Sequence, residues 1–267
     1  SQPPIDAMTE HLEPSLVTVL RTKSGIELQS RQTVPGMAMG LSAPASITSM
    51  LPFLQSARGS ARNTQSMNNI KQLILALHNF HDSYGHFPAA YQLTKEGKPG
   101  LSWRVFMLPF LDQQALFEQF HLEEPWDSEH NKQLIAKMPD VFRSPGSQAD
   151  AGKTTYLGNA GETGLFTKPK KGQTKSPPPG IGMHQITDGT SNTVILVEWP
   201  GANKNWMEPT DLDVNLFVQG AGMASNHPST FTVGFADGSV RSLSTTTDPG
   251  TRQAMSTASG GEVLMLP

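Results

Sequence analysis

Apolar residues recur at steps of three and four along one stretch of the chain: Leu51, Leu54, Ala57, Ala61, Met67, Ile70, Leu73, Ile74, Leu77, Phe80 and Tyr84. That spacing marks one face of a helix. The pattern predicts a single long helix beginning between Ala45 and Pro52, proline being tolerated in a first turn. Gly85 supplies the stop and Pro88 enforces it. From Pro52 to Ser83 such a helix would run roughly 45–50 Å at 1.5 Å per residue. Its stripe is thin and alanine-rich at first, then broad. The second half is therefore expected to pack into a body, and the first half to project or to meet a narrow partner.

Elsewhere the period is two. Ser15–Thr22 and Ile26–Thr33 alternate around Lys23-Ser-Gly25 and predict a hairpin, which alone would be barely stable in water and must dock on something. Val34–Ser49 reads as a connector rich in Pro, Gly, Ser and Met. Beyond the helix, Leu101–Asp112 is an apolar run, and Gln113–Phe120 and Glu129–Lys137 read as short helices. Tyr156–Gly161 reads as a short strand. Thr193–Trp199 is β-branched and follows the Asp188-Gly189 turn. Phe231–Ala236 and Ser239–Ser244 flank Asp237-Gly238, the strongest local hairpin signal present. One long helix followed by strands and loops is an α+β arrangement. Residues 1–44 are expected to be a hairpin and linker, which either docks on the rest of the chain or is the end of a preceding domain, the second being favoured, and 45–267 the main domain.

Composition narrows the function classes. Net charge is −3 and charged residues are 16%, which argues against a nucleic-acid surface built on clustered cations. With no cysteine, disulfides, thiolate metal sites and a cysteine nucleophile are excluded. The charge-free run from Gln32 to Ala57 is broken by Pro35, Pro44 and Pro52 and would make a poor spanning helix. Because the chain opens at Ser1 without a visible signal peptide, a mature form or an excised fragment is expected. Lys168–Gly180 reads as a solvated basic loop.

Four blocks, in order, carry a resemblance. They are Leu51–Pro88 with its Asn68-Asn69 and His78-Asn-Phe-His-Asp82, then Ser102-Trp-Arg-Val-Phe-Met-Leu-Pro-Phe-Leu111, then Ile186-Thr-Asp-Gly-Thr-Ser-Asn-Thr193, and finally Phe235-Ala-Asp-Gly-Ser-Val-Arg-Ser-Leu243 behind His227-Pro228. Over about residues 45–264 the chain resembles a planctomycete-type pilin-like family of unknown function, related to type II secretion pseudopilins. The resemblance implies a pilin-like fold: one long N-terminal helix packed on an antiparallel sheet with long loops. It also implies an extracytoplasmic setting, at the periplasm or cell surface, with membrane association in the full-length protein. Two departures stand out. Gly36–Leu41 lacks the glutamate and the apolar spine of a prepilin start, and an additional hairpin precedes the helix. Ser66 and Ser144 stand where the family often carries cysteines, implying that the family's cysteines pair and bring the helix beside the 140s loop.

Several residues are candidates for chemistry. His78, His81 and Asp82 lie at i, i+3 and i+4, a spacing able to offer two imidazoles and a carboxylate to Zn²⁺; capping of the helix end is the alternative. Asp211, Asp213 and Asn215 begin like a Ca²⁺ loop, but Leu216 and Gly222 occupy the positions that need Gly and Glu. Asp188 and Asn192 are read as ligand contacts, the alternative being that Asp188 and Ser191 satisfy the amides of their own turn. Trp206 and His227 would join them in a concave ligand site. No cofactor is required by any of these. The expected role is a non-catalytic structural or interaction module with protein partners in a secretion or surface assembly, without nucleic acid, touching a membrane only through a segment absent or degenerate here. The alternative is a binding module for a solute, a glycan or Ca²⁺, and an enzyme stands third.

Overall fold

The structure is a computed structural model that describes residues 16–22, 25–31, 43–220 and 230–261. The chain divides into two compact units, Ser1–Ser56 and Ala57–Pro267. In the first, β1 (Leu16–Thr22) and β2 (Gly25–Arg31) pair antiparallel with Leu16 opposite Arg31 and Thr22 opposite Gly25, the hairpin predicted from alternation.

The long helix α1 runs unbroken from Ala43 to Tyr84, 42 residues or about 63 Å. It starts inside the stretch read as a connector and continues through Pro52, whose ring nitrogen has no hydrogen for the carbonyl four residues back. Among the described side chains of α1, Ser66, Ile70, Leu73, Ile74, Ala76, Leu77 and Phe80 are buried, while Arg58, Ala61, Arg62 and Gln65 are exposed. The broad second half of the stripe is thus the packed half. Tyr84 leaves the stripe at 48% exposure, its ring resting 4.6 Å from that of Phe80. Gly85 closes the helix at φ +78°, its amide donating to the His81 carbonyl at 2.7 Å.

Past this turn, β3 (Tyr91–Leu93) pairs with β4 (Pro99–Ser102), and α2 (Trp103–Met107) starts at Ser102, whose hydroxyl caps the Arg104 amide. Leu108–Leu111 is a 3₁₀ turn and α3 is Gln114–Phe117. Within Glu129–Lys137, read as a short helix, the structure forms a 3₁₀ helix over Asn131–Lys137. The small pair β5 (Lys153–Thr154) with β8 (Lys204–Asn205) lies apart from the main sheet.

The main sheet is antiparallel with the order β10-β9-β7-β6: Val240–Ser244, Thr230–Phe235, Val194–Glu198 and Tyr156–Gly158. All five β7 residues are buried, because both faces of the sheet are covered. On β9 the alternation decides which neighbour each residue meets. Phe231, Val233 and Phe235 join a cluster with Phe217 of α4 (Val214–Gln219) and Met255 of α5 (Pro249–Met255). Thr232 and Gly234 face α1. A Cβ on Gly234 would lie 2.4 Å from Ile74 Cδ1 and 2.6 Å from Ile70 Cγ2, so glycine lets helix and sheet approach this closely. The Asp237-Gly238 turn forms as predicted, with Gly238 at φ +91° and the Asp237 carboxylate accepting from the Ser239 amide at 2.8 Å. Next to α1 the core is aromatic: Trp103 stacks on Phe166 at 4.6 Å, and Trp206 lies 5.8 Å from Phe142 and 5.9 Å from Phe120.

Candidate functional site

One exposed edge of α1 borders a groove. Gln65, Asn69, Gln72 and Leu75 form its near wall, and the segment from Met138 to Ser147 forms the far wall. The wider part, about 680 Å³, is floored by Phe110, Leu111 and Val141; the narrower part, about 380 Å³, runs on toward Arg143, Pro145 and Gly146. Leu75 stands in it at 61% exposure, although it lies on the packed half of the helix. Asp112 and Asp140 rim the wide end. At the narrow end Gly146, at φ +76°, lies so close to the Arg62 guanidinium that a Cβ there would meet its Nε at 2.8 Å.

Beneath the narrow end lies a buried polar network. The Tyr156 hydroxyl meets the Ser66 hydroxyl at 2.9 Å and accepts from Asn69 Nδ2 at 3.4 Å, while Asn69 also donates to the Arg143 carbonyl at 3.1 Å. The Ser144 hydroxyl donates to the Glu198 carboxylate and also reaches the Tyr156 side chain. Burial, reinforced by the nearby Glu198 charge, pushes the Tyr156 phenol above the ordinary tyrosine range, so it stays protonated. The two serines singled out through the family resemblance thus touch the same hydroxyl. Each hydroxyl has a partner, and the network ties α1 to β6, β7 and the groove's far wall.

A second buried group is the Arg104–Asp211 pair, with side chains 0% and 1% exposed. Arg104 Nη2 donates to Asp211 Oδ1 at 2.5 Å and to the Tyr156 carbonyl at 2.9 Å. The Trp103 indole donates to Asp211 Oδ2 at 3.1 Å and the Gly158 amide to Oδ1 at 2.7 Å. Burial drives the Asp211 carboxyl upward, and the Arg104 charge and these donors oppose the rise. The loop resembling a Ca²⁺ site is therefore divided: Asp211 points inward to Arg104. Asp213 caps α4, accepting from the amides of Asn215 at 2.9 Å and Leu216 at 3.3 Å, and Asn215 is exposed.

The members of the histidine cluster are held by their own surroundings, with His81 Nδ1 3.8 Å from Asp82 Oδ1. The His81 Nε2 lone pair accepts from the Met183 amide at 3.2 Å, and its ring packs 5.0 Å from Phe87. His78 turns its ring toward Phe87 and the Ala236 backbone, and desolvation holds its pKa below the ordinary value of 6.5. The Asp82 side chain is 83% exposed. Among the described residues no three His, Cys, Asp or Glu side chains are grouped so as to hold a metal ion.

Trp206 lies in the core and not on the concave surface expected of it. Trp206 is fully buried, its indole donating to the Ile135 carbonyl at 3.1 Å. His227 lies outside the described residues. Asp188 serves a distant segment rather than its own turn, accepting from Thr257 Oγ1 at 2.9 Å and from the amides of Gly260 at 2.6 Å and Gly261 at 2.8 Å. Partial burial pushes the Asp188 carboxyl up, but these donors together hold it below the usual carboxylate range. Asn192 Nδ2 donates to the Asp188 carbonyl at 3.1 Å. The sequence reading missed the groove, Tyr156, Glu198 and Arg104. The available signal was polarity in the wrong place: Glu198 ends an otherwise apolar strand, and Arg104 interrupts the apolar run 101–112.

Helix, sheet and groove define an α+β domain with a long helix laid on a four-stranded antiparallel sheet. Residues 55–214 match the family described as "Protein of unknown function (DUF1559)", and the chain belongs to that family. No curated protein and no solved structure matches the chain.

Proposed function

We propose that this protein is a non-catalytic, extracytoplasmic structural or interaction module of pilin or pseudopilin character, working by protein contact within a secretion or surface assembly. The observation that carries this reading is the division of labour along α1. The residues from Ser66 onward anchor the sheet, the turns before them leave Arg58, Ala61, Arg62 and Gln65 in solvent, and a groove with an exposed leucine runs beside the anchored part. Several polar groups are engaged within the fold: Asp211 with Arg104, Ser144 with Glu198, and the half-buried Asp188 with the 257–261 segment. Such networks stiffen a scaffold.

The test is made in the producing cell, with a photocrosslinking residue placed at Gln72 or Leu75 and, as a control, at Lys171. The reading expects the protein outside the cytoplasm and discrete protein adducts from the groove positions but not from Lys171. Recovery of the protein from the cytoplasm alone, without adducts, would sink it. A second reading, capture of a small solute, a glycan or Ca²⁺, draws on the wide end of the groove, whose volume of about 680 Å³ falls in the range of small-ligand sites. A dose-dependent rise in melting temperature with such a ligand, abolished by Leu75→Asp, would favour that reading instead.

A further inference from the structure

The two edges of the main sheet are finished differently. On β6 the Asn159 amide and the Thr155 carbonyl face β7, bonding Ile195 at 2.9 Å and Trp199 at 2.7 Å, so Tyr156 and Gly158 turn their backbone outward. That outer row is closed from within the fold. The Tyr156 amide donates to Thr154 Oγ1 at 3.2 Å, and its carbonyl accepts from Arg104 Nη2 at 2.9 Å. The Gly158 amide donates to Asp211 Oδ1 at 2.7 Å, and its carbonyl accepts from the Leu212 amide at 3.1 Å.

β10 is left open. Its one neighbour is β9, with Val240 opposite Gly234 and Ser244 opposite Thr230. The Phe235 amide donates to the Ser239 carbonyl at 2.8 Å, and the Ala236 amide turns the other way, to Thr193 of the β7 side at 2.9 Å. Bonded and unbonded pairs alternate along an antiparallel ladder, so Arg241 and Leu243 carry the bonds to β9. Val240, Ser242 and Ser244 therefore point their N–H and C=O groups away from the sheet. Among the described residues, only the Ser244 carbonyl of this outer row is engaged, by Thr247. The usual guards of an exposed edge are missing as well: Val240–Ser244 has no Pro, no Lys and no bulge. Its one charge, the Arg241 guanidinium, lies over the Phe235 ring at 4.8 Å, on the face of the sheet and not across its edge.

We infer that two copies of this chain pair through β10, antiparallel about Ser242, joining their four-stranded sheets into one. An open row of backbone donors and acceptors is met by an extended strand. β10 itself is the strand that fits. With Ser242 opposite Ser242, Val240 meets Ser244 and Arg241 meets Leu243, so outward groups face outward groups and no like charges are opposed. The small serine stands at the axis. Roughly four hydrogen bonds form, two between the Ser242 residues and two from Ser244 amides to Val240 carbonyls. Leu243 packs against the Phe231–Phe235 cluster and is half-buried, and the partner's Arg241 stem would extend its cover. The helices do not obstruct this. α1 meets the sheet over β9 at Gly234, so three strand spacings, roughly 14 Å, separate the two copies' helices there, more than the distance at which helices pack. The edge is separate from the groove, and its pairing does not depend on what the groove holds.

Sedimentation velocity of the full chain, from micromolar to near-millimolar concentration, tests the inference. One strand pair is a small interface, so a weak, concentration-dependent dimer is expected. Ser242→Pro should weaken dimerisation about tenfold or more, because it removes an N–H at the axis. It should keep the melting temperature, since that N–H points away from β9 and edge strands tolerate proline. Ser242→Cys supplies a second readout that holds even if the proline variant fails to fold. The chain has no cysteine, so the new thiol is unique, and a short bismaleimide should join two copies through it. Lys171→Cys, exposed elsewhere on the surface, should give no such product. A monomer at every concentration, a dimer indifferent to a folded Ser242→Pro chain, or equal crosslinking from Lys171→Cys would each overturn the pairing.

Discussion

At the scale of single residues, stability rests on polar groups buried in matched sets. Arg104 and Asp211 are the extreme case, both side chains essentially without solvent contact. Arg104→Met strands a buried carboxylate and should cost about 3–5 kcal/mol in urea denaturation. The double variant Arg104→Met with Asp211→Leu should cost much less than the two single changes added together, because neither charge is then left alone. His78 gives a pH signature. Its folded pKa lies below 6.5, chiefly through desolvation, so the folded state disfavours the protonated ring. That contribution is fully present above pH 6.5 and is lost as pH falls below it. Melting temperature should therefore decline as pH falls below 6.5, and His78→Gln should flatten the decline. Asp188 acts in a separate window below pH 3.8, where protonating its depressed carboxyl weakens its hold on Gly260 and Gly261.

At the scale of elements, what holds α1 to the sheet is close contact, and Gly234 is the tightest point. Gly234→Ala drives a methyl into Ile70 and Ile74 and should destabilise by about 1–3 kcal/mol, read from the denaturation midpoint at an unchanged slope. The Tyr156 network is the second fastening. Because Ser66 and Ser144 both reach the Tyr156 hydroxyl, the pair Ser66→Cys with Ser144→Cys is expected to oxidise to a disulfide that raises stability by about 2–4 kcal/mol. Thiols that remain fully reactive after oxidation would count against that arrangement. The elements themselves were largely legible beforehand. The helix stripe, the Gly85 stop, the β7 run and the Asp-Gly hairpin each follow from local periodicity or turn chemistry. Tyr84 and Leu75 were not legible, because whether a helical residue is covered depends on which distant segment lies beside it. Asn131–Lys137 tightened into 3₁₀ geometry for a similar reason: Asn131 is fully buried and holds the 121–125 loop through the carbonyls of His121 at 3.0 Å and Pro125 at 3.1 Å.

At the scale of the molecule, the basic loop interrupts a sheet made of neighbours distant in sequence. β6 precedes it and β7 follows it, yet the two pair directly, Tyr156 opposite Glu198 and Gly158 opposite Leu196. Within residues 57–261, brief trypsin treatment should cut first after Lys170, Lys171 or Lys175. The two fragments should co-elute in native gel filtration and separate only in denaturant; dissociation without denaturant would show the sheet to be weaker than its pairing implies. By itself the sequence determined the α+β class, the single long helix with its packed second half, and the hairpin register, because those depend on residues a few positions apart. Only the tertiary structure decided the fate of the candidate sites. It turned Asp211 inward to Arg104, set Trp206 in the core, packed His78 and His81 against Phe87, and opened a groove along Gln65–Leu75. A side chain's partner there lies tens of residues away, and a buried polar group must take whichever donor or acceptor the packing brings within reach.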